Sequence, residues 1–117
     1  MRNFRELEIW KESIDLVKII YNIKEQLPDS EKFGLKSQLS RCAISIPANI
    51  AEGCAKDSQK DFIRFLQISL GSAYELETHL IICFELSYLN ENKELIFGIQ
   101  RLQKRINALI KYSKANI

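Results

Sequence analysis

Little in this chain breaks a helix, and little of it carries chemistry. Two prolines and four glycines among 117 residues are too few for a turn-rich β architecture and favour long uninterrupted helices. There is one histidine, His79, and no CxxC pair, so no zinc-finger spacing exists. The three cysteines, Cys42, Cys54 and Cys83, are odd in number and far apart, which excludes a disulfide framework and suits reduced thiols in the cytoplasm. No apolar run approaches the ~20 residues of a membrane span, and no Asn-x-Ser/Thr acceptor occurs. The opening "MRNFRELEIWKESIDL" is charged throughout, unlike a secretory signal. A Gly-rich phosphate loop, a His-Glu-x-x-His pair and Ser-His-Asp or Cys-His nucleophile patterns are all missing. A cytoplasmic, membrane-independent protein is expected, with no enzymatic activity, cofactor or metal.

What is present is amphipathic periodicity. A first helix over about residues 4–26 carries Leu7, Trp10, Ile14, Val17 and Tyr21 on one stripe and Ile9, Leu16, Ile20 and Ile23 beside it, continued by Leu27 just past its end. At about 100° per residue the two stripes span roughly 200°, wider than a helix facing a single core requires. This first helix therefore has two neighbours, one of which can be a second subunit. "LPDSEKFG" breaks the pattern, with Asp29 or Ser30 able to cap a short turn. A second helix over about 35–54 places Leu35, Leu39, Ala43, Ile46 and Ile50 inward and Ser37, Gln38, Arg41, Ser45, Asn49 and Glu52 on the opposite side. Gly53 stands where a left-handed cap residue fits best.

Ser58 followed by Asp61 resembles a capping box and opens a third helix over about 58–86. Its seam is Phe62, Phe65, Ser69, Ser72, Leu76, His79 and Cys83, with small residues Ser69, Gly71, Ser72 and Ala73 permitting close approach of a neighbour. Asn90 or Asn92 caps a fourth helix over about 92–113, whose apolar face is Leu95, Ile99, Leu102, Ile106, Leu109 and Ile110. Residues 1–117 thus read as one all-α domain, an antiparallel up-down-up-down four-helix bundle.

The net charge of +2 is uninformative, but its distribution is not. No acidic residue follows Glu94, whereas Arg101, Lys104, Arg105, Lys111 and Lys114 do. The first four fall within about 120° opposite the apolar face, a candidate footprint for a nucleic-acid backbone. Tyr112 is the aromatic interleaved with these charges, so salt-sensitive backbone contact is favoured over base stacking. Two further constellations are weaker. Glu75, His79 and Cys83 recur at four-residue steps and can supply three metal ligands; pairing of Glu75 with a cation such as Arg41, with His79 and Cys83 filling the seam, is simpler. Glu52 and Glu75 make a carboxylate pair with nothing else of a hydrolase around them.

"SQLSRCAISIPANIAEG" and "FIRFLQISLGSAYELETHL" are the distinctive segments, with "LEIWKESIDLVKIIY" and "LSYL" supporting them. Pro47 has no N–H to give inside a helix, so a kink with a polar cluster around it is expected. Over nearly the whole chain these segments resemble the bacterial four-helix-bundle family of 23S ribosomal RNA intervening-sequence proteins, related to the accessory variability determinant proteins of diversity-generating retroelements. The resemblance implies an antiparallel bundle that assembles with itself into a pentameric ring. The retroelement relatives are basic barrels that bind nucleic acid and a reverse transcriptase, while this chain is nearly neutral. No catalytic residue transfers. The motif residues are Arg41, Ser45, Pro47, Asn49, Glu52, Gly53, Gly71, Ser72 and Glu75. They suggest a charge network of Arg41, Glu52 and Glu75 within or between subunits, with Asn49 satisfying carbonyls near Pro47. A protein-binding scaffold or adaptor ring with no nucleic-acid role is the alternative.

Overall fold

A computed structural model describes residues 2–117. Its main elements are α1 (Glu8–Ile23), α2 (Leu35–Cys54), α3 (Gln59–Glu85) and α4 (Lys93–Ala115), with 3-10 turns at Phe4–Glu6, Lys24–Gln26 and Asp29–Glu31. There is no strand among the described residues. The four helices form an elongated bundle of 46 × 24 × 19 Å. Each helix packs on its chain neighbours; α2 and α3 share the most extensive contact, and α4 closes onto α1 through the thinnest one.

Local signals set the helix starts. Ser58 accepts from the Asp61 N–H at 3.1 Å, and Asn92 accepts from the Leu95 N–H at 3.0 Å, each satisfying a donor the helix leaves unpaired. In the break before the second helix, neither Asp29 nor Ser30 caps the short turn, which they occupy instead, with Pro28 at its cap position. The second helix is capped by the Glu31 carboxylate, which accepts from the Leu35 N–H at 3.0 Å. A carboxylate there also meets the positive end of the helix dipole.

The core is the set predicted from periodicity, with some differences of width. On α1 the buried line is Ile9, Ser13, Leu16 and Ile20, while Leu7, Trp10, Ile14 and Val17 are half-buried and Tyr21 is exposed. Trp10 is held edge-on against Phe4 with centroids 5.2 Å apart. On α2, Cys42, Pro47, Gly53 and Cys54 are buried in addition to Leu39, Ala43, Ile46 and Ile50, because α2 faces both α1 and α3. Gly53 is not a left-handed cap. No glycine has positive φ, and Gly53 lies within α2, which ends at Cys54.

Candidate functional site

The motif around Pro47 is a helix-packing device. The α-helix runs through Pro47 from Leu35 to Cys54, and the polar groups beside it join α2 to α3. Ser45 Oγ and Ser72 Oγ are 2.8 Å apart, Ser72 donates to the Ile68 carbonyl at 3.1 Å, and buried Ser69 donates to the Ile46 carbonyl at 2.9 Å. Asn49 Nδ2 donates to the Ser45 carbonyl at 2.8 Å and to Ser45 Oγ at 2.9 Å, so Asn49 does serve a carbonyl near Pro47. One turn further on, a methyl group on Gly53 would lie 2.9 Å from Phe65 Cβ and 3.3 Å from the Phe62 carbonyl. Small side chains therefore allow the two helices to touch nearly backbone to backbone, and hydroxyls satisfy the polar groups that this contact dries.

The charged members of the motif behave differently. Arg41 and Glu52 are exposed, and neither makes an ion pair among the described residues. Glu75 Oε2 stands 3.5 Å from His79 Nε2. The charge network expected of Arg41, Glu52 and Glu75 thus does not form within one chain. Gly71 is exposed with nothing within 4 Å of an added methyl group, so within the chain it admits no close neighbour.

Glu75 and His79 also part from Cys83. The thiol that joins them is Cys42 of α2: ligand atoms of Cys42, Glu75 and His79 all lie within 4.8 Å of one another. Burial, followed by the negative charge of Glu75, pushes the Cys42 thiol up to about 12. Burial likewise raises the thiols of Cys54 and Cys83, and all three cysteines are free.

Across the bundle, α4 presents the basic residues. Arg101, Lys104, Arg105, Lys111 and Lys114 are all exposed. Arg105 is paired with Glu12 of α1, whereas Arg101, Lys104, Lys111 and Lys114 make no ion pair among the described residues. Arg101 borders a groove of about 380 Å³ between α1 and α4 whose acidic walls are Glu12, Asp15 and Glu94. On the other flank, Glu77 is occupied by Gln103 at 2.8 Å and Gln100 at 3.1 Å. The sequence reading overlooked Phe97. It is 63% exposed and Tyr112 is 65% exposed, and helical geometry puts both on the basic face, about 22 Å apart along the axis. The signal was available: Phe97 precedes Arg101 by four residues, one helical turn.

A family model described as "23S rRNA-intervening sequence protein" matches residues 5–108, which takes in all of α1, α2 and α3 and most of α4. The chain belongs to this family. The fold is similar to that solved for a protein of unknown function from the S23 ribosomal protein family of Bacteroides thetaiotaomicron. The two share 27% identity with a TM-score of 0.80 over 88% of this chain and 95% of the other. No curated protein matches the sequence. The names attached to the family and to the Bacteroides protein carry no catalytic activity. Among the described residues of this 23S rRNA-intervening sequence protein, no helix is long and apolar enough to cross a membrane.

Proposed function

We propose that this protein is a non-enzymatic, homo-oligomeric accessory protein of the cytoplasm that binds the backbone of RNA or DNA along α4. The observation that carries this reading is the exposed face of Phe97, Arg101, Lys104, Lys111 and Tyr112, in which the four unpaired cations, counting Lys114 at its end, meet no acidic residue of their own helix after Glu94. Such a stripe recruits phosphates by releasing counterions, which makes binding salt-dependent and weakly sequence-selective. The two aromatics add flat surfaces on which unpaired bases can stack. Assembly with itself is supported by the half-buried line of Leu7, Trp10, Ile14 and Val17 on α1, and a pentameric ring would repeat the basic stripe five times. Kinship with the accessory variability determinant proteins, and a reverse transcriptase as partner, extend the same proposal through the family resemblance.

Full-length protein titrated with single-stranded RNA over a range of salt tests it. Log affinity should fall linearly with log salt, by about 0.7 for each phosphate contact. Charge reversal of Arg101, Lys104, Arg105 and Lys111 together should remove the dependence; unchanged binding would eliminate this surface. Reversal of Lys104 or Lys111 should cost more than reversal of Arg105, because Glu12 already neutralises Arg105. A protein-binding scaffold ring is the second reading, favoured by exposed Ile68, Ile81 and Ile82 on α3. Recovery of one stoichiometric protein partner at high salt, with no RNA binding at low salt, would select it.

A further inference from the structure

Cys42 on α2 faces Glu75 and His79 on α3, and the three offer one sulfur, one oxygen and one nitrogen ligand within 4.8 Å of one another. Glu75 and His79 are four residues apart, hence stacked on one helix face. Both ring nitrogens of His79 are shielded from solvent, and neither has a hydrogen-bond partner among the described residues. The 3.5 Å approach to Glu75 Oε2 is close enough for charge attraction but lies outside hydrogen-bond geometry. Two shielded, unsatisfied nitrogens on one half-buried imidazole are unusual, since buried polar atoms are nearly always partnered.

We infer that Cys42, Glu75 and His79 form a binding site for a divalent transition-metal ion, Zn²⁺ above all, that bridges α2 and α3. The donor set decides the class. A thiolate and an imidazole select zinc-like ions over Mg²⁺ and Ca²⁺, which take oxygen ligands. Thiolate and carboxylate together balance the two positive charges of the ion, so the bound site is neutral at the edge of the core. Tetrahedral zinc holds such donors about 3.4–3.6 Å apart, given bond lengths of about 2.0–2.3 Å. No pair of donors is farther apart than 4.8 Å and Glu75 already stands 3.5 Å from His79, so closing onto an ion needs shifts of no more than about 1 Å, and the long, half-exposed Glu75 side chain is free to adjust. The fourth position opens to water on that side. Binding displaces one proton, from the Cys42 thiol to solvent. The site is independent of the nucleic-acid reading: α4 contributes nothing to it.

Metal-depleted full-length protein titrated with Co²⁺ and then Zn²⁺ provides the test. One equivalent of Co²⁺ per chain should give a thiolate-to-cobalt charge-transfer band in the near ultraviolet, with visible d–d bands of four-coordinate cobalt, and Zn²⁺ should displace it. Cys42→Ser should abolish the charge-transfer band, Glu75→Gln and His79→Gln should each weaken binding by at least about tenfold, and Cys54→Ser and Cys83→Ser should bind as wild type. Because Cys42 is buried, His79→Gln serves as the variant least exposed to misfolding: zinc should raise the melting temperature of wild type and leave that of His79→Gln unchanged. A missing charge-transfer band, its survival in Cys42→Ser, or wild-type affinity in both Glu75→Gln and His79→Gln overturns the site.

Discussion

Replacing Gly53 by alanine adds one methyl group at the closest approach of α2 and α3. The added carbon would sit 2.9 Å from Phe65 Cβ, 3.3 Å from the Phe62 carbonyl oxygen and 3.4 Å from Phe62 Cδ1. Two of those atoms are anchored to the α3 backbone, so rotation of a side chain cannot relieve the clash and the helices must separate. Separation also stretches the nearby Ser69–Ile46 and Ser45–Ser72 contacts. Alanine by itself favours a helix over glycine by about 1 kcal/mol; overpacking of a tight core costs about 1–3 kcal/mol, and a clash with backbone-fixed atoms belongs near the top of that range. The net expectation is a loss of about 1–2 kcal/mol. Gly71 supplies the internal comparison, since it lies in α3 with nothing within 4 Å; Gly71→Ala should stabilise the protein by about 0.5–1 kcal/mol through helix propensity and the unfolded state. Urea unfolding of the two variants beside wild type measures both signs. If Gly53→Ala is as stable as wild type, the close helix contact is not what requires glycine there. If Gly71→Ala instead lowers oligomer mass, a second copy fills the open space beside it.

Three smaller effects follow from the same geometry. Ser69→Ala should cost about 1 kcal/mol in urea unfolding, because it removes a buried hydroxyl bonded across the α2–α3 contact, and a neutral result would deny that bond a role. Arg41→Ala should leave stability within about 0.5 kcal/mol, as for an exposed side chain with no ion-pair partner; a cost of several kcal/mol would mean that Arg41 is buried against another subunit. The thiols of Cys54 and Cys83 are raised above the ordinary cysteine value, both chiefly by burial, with Arg2 opposing the rise at Cys54 and Glu31 adding to it at Cys83. The folded state therefore keeps those protons longer than the unfolded chain, so their contribution is intact below about pH 8.5 and is lost as pH rises toward the higher folded values, at no more than about 1.4 kcal/mol per pH unit per thiol. Denaturation midpoints between about pH 8 and 10 should fall less steeply in a Cys54→Ala, Cys83→Ala variant, and equal slopes contradict the assignment.

The bundle was legible in the sequence because each helix writes its own core in period 3.6, as Phe62, Phe65, Ser69, Ser72 and Leu76 do on α3. Contacts between helices were not legible for the same reason. Glu75, His79 and Cys83 share a stripe on paper, but every four-residue step advances about 40° around the axis, so Cys83 has turned about 80° away from Glu75. The group that replaces it, Cys42, lies 33 positions before Glu75 on α2 and enters through the register of two packed helices. Pairing of Arg105 with Glu12 is hidden in the same way, as a register between α4 and α1. Gly53 was misread because a glycine near a helix end is a common stop signal, whereas here its meaning depends on Phe62 and Phe65 in the next helix.

The part of the motif around Pro47 is thus not where a nucleic-acid contact should be sought. Ser45 and Gly53 face α3, Asn49 bonds Ser45, and Pro47 is buried; these residues act through packing and hydrogen bonds, so substitutions there will remove any activity by loosening the bundle. The basic face of α4 looks away from that contact, and α2 and α4 are not neighbours. A variant that loses nucleic-acid binding while its melting temperature stays at the wild-type value can therefore be informative on α4, at Lys104 or Lys111, and is not expected from the motif. The two classes of variant separate the requirement to fold from the requirement to bind, and the split follows from the order of helices around the bundle.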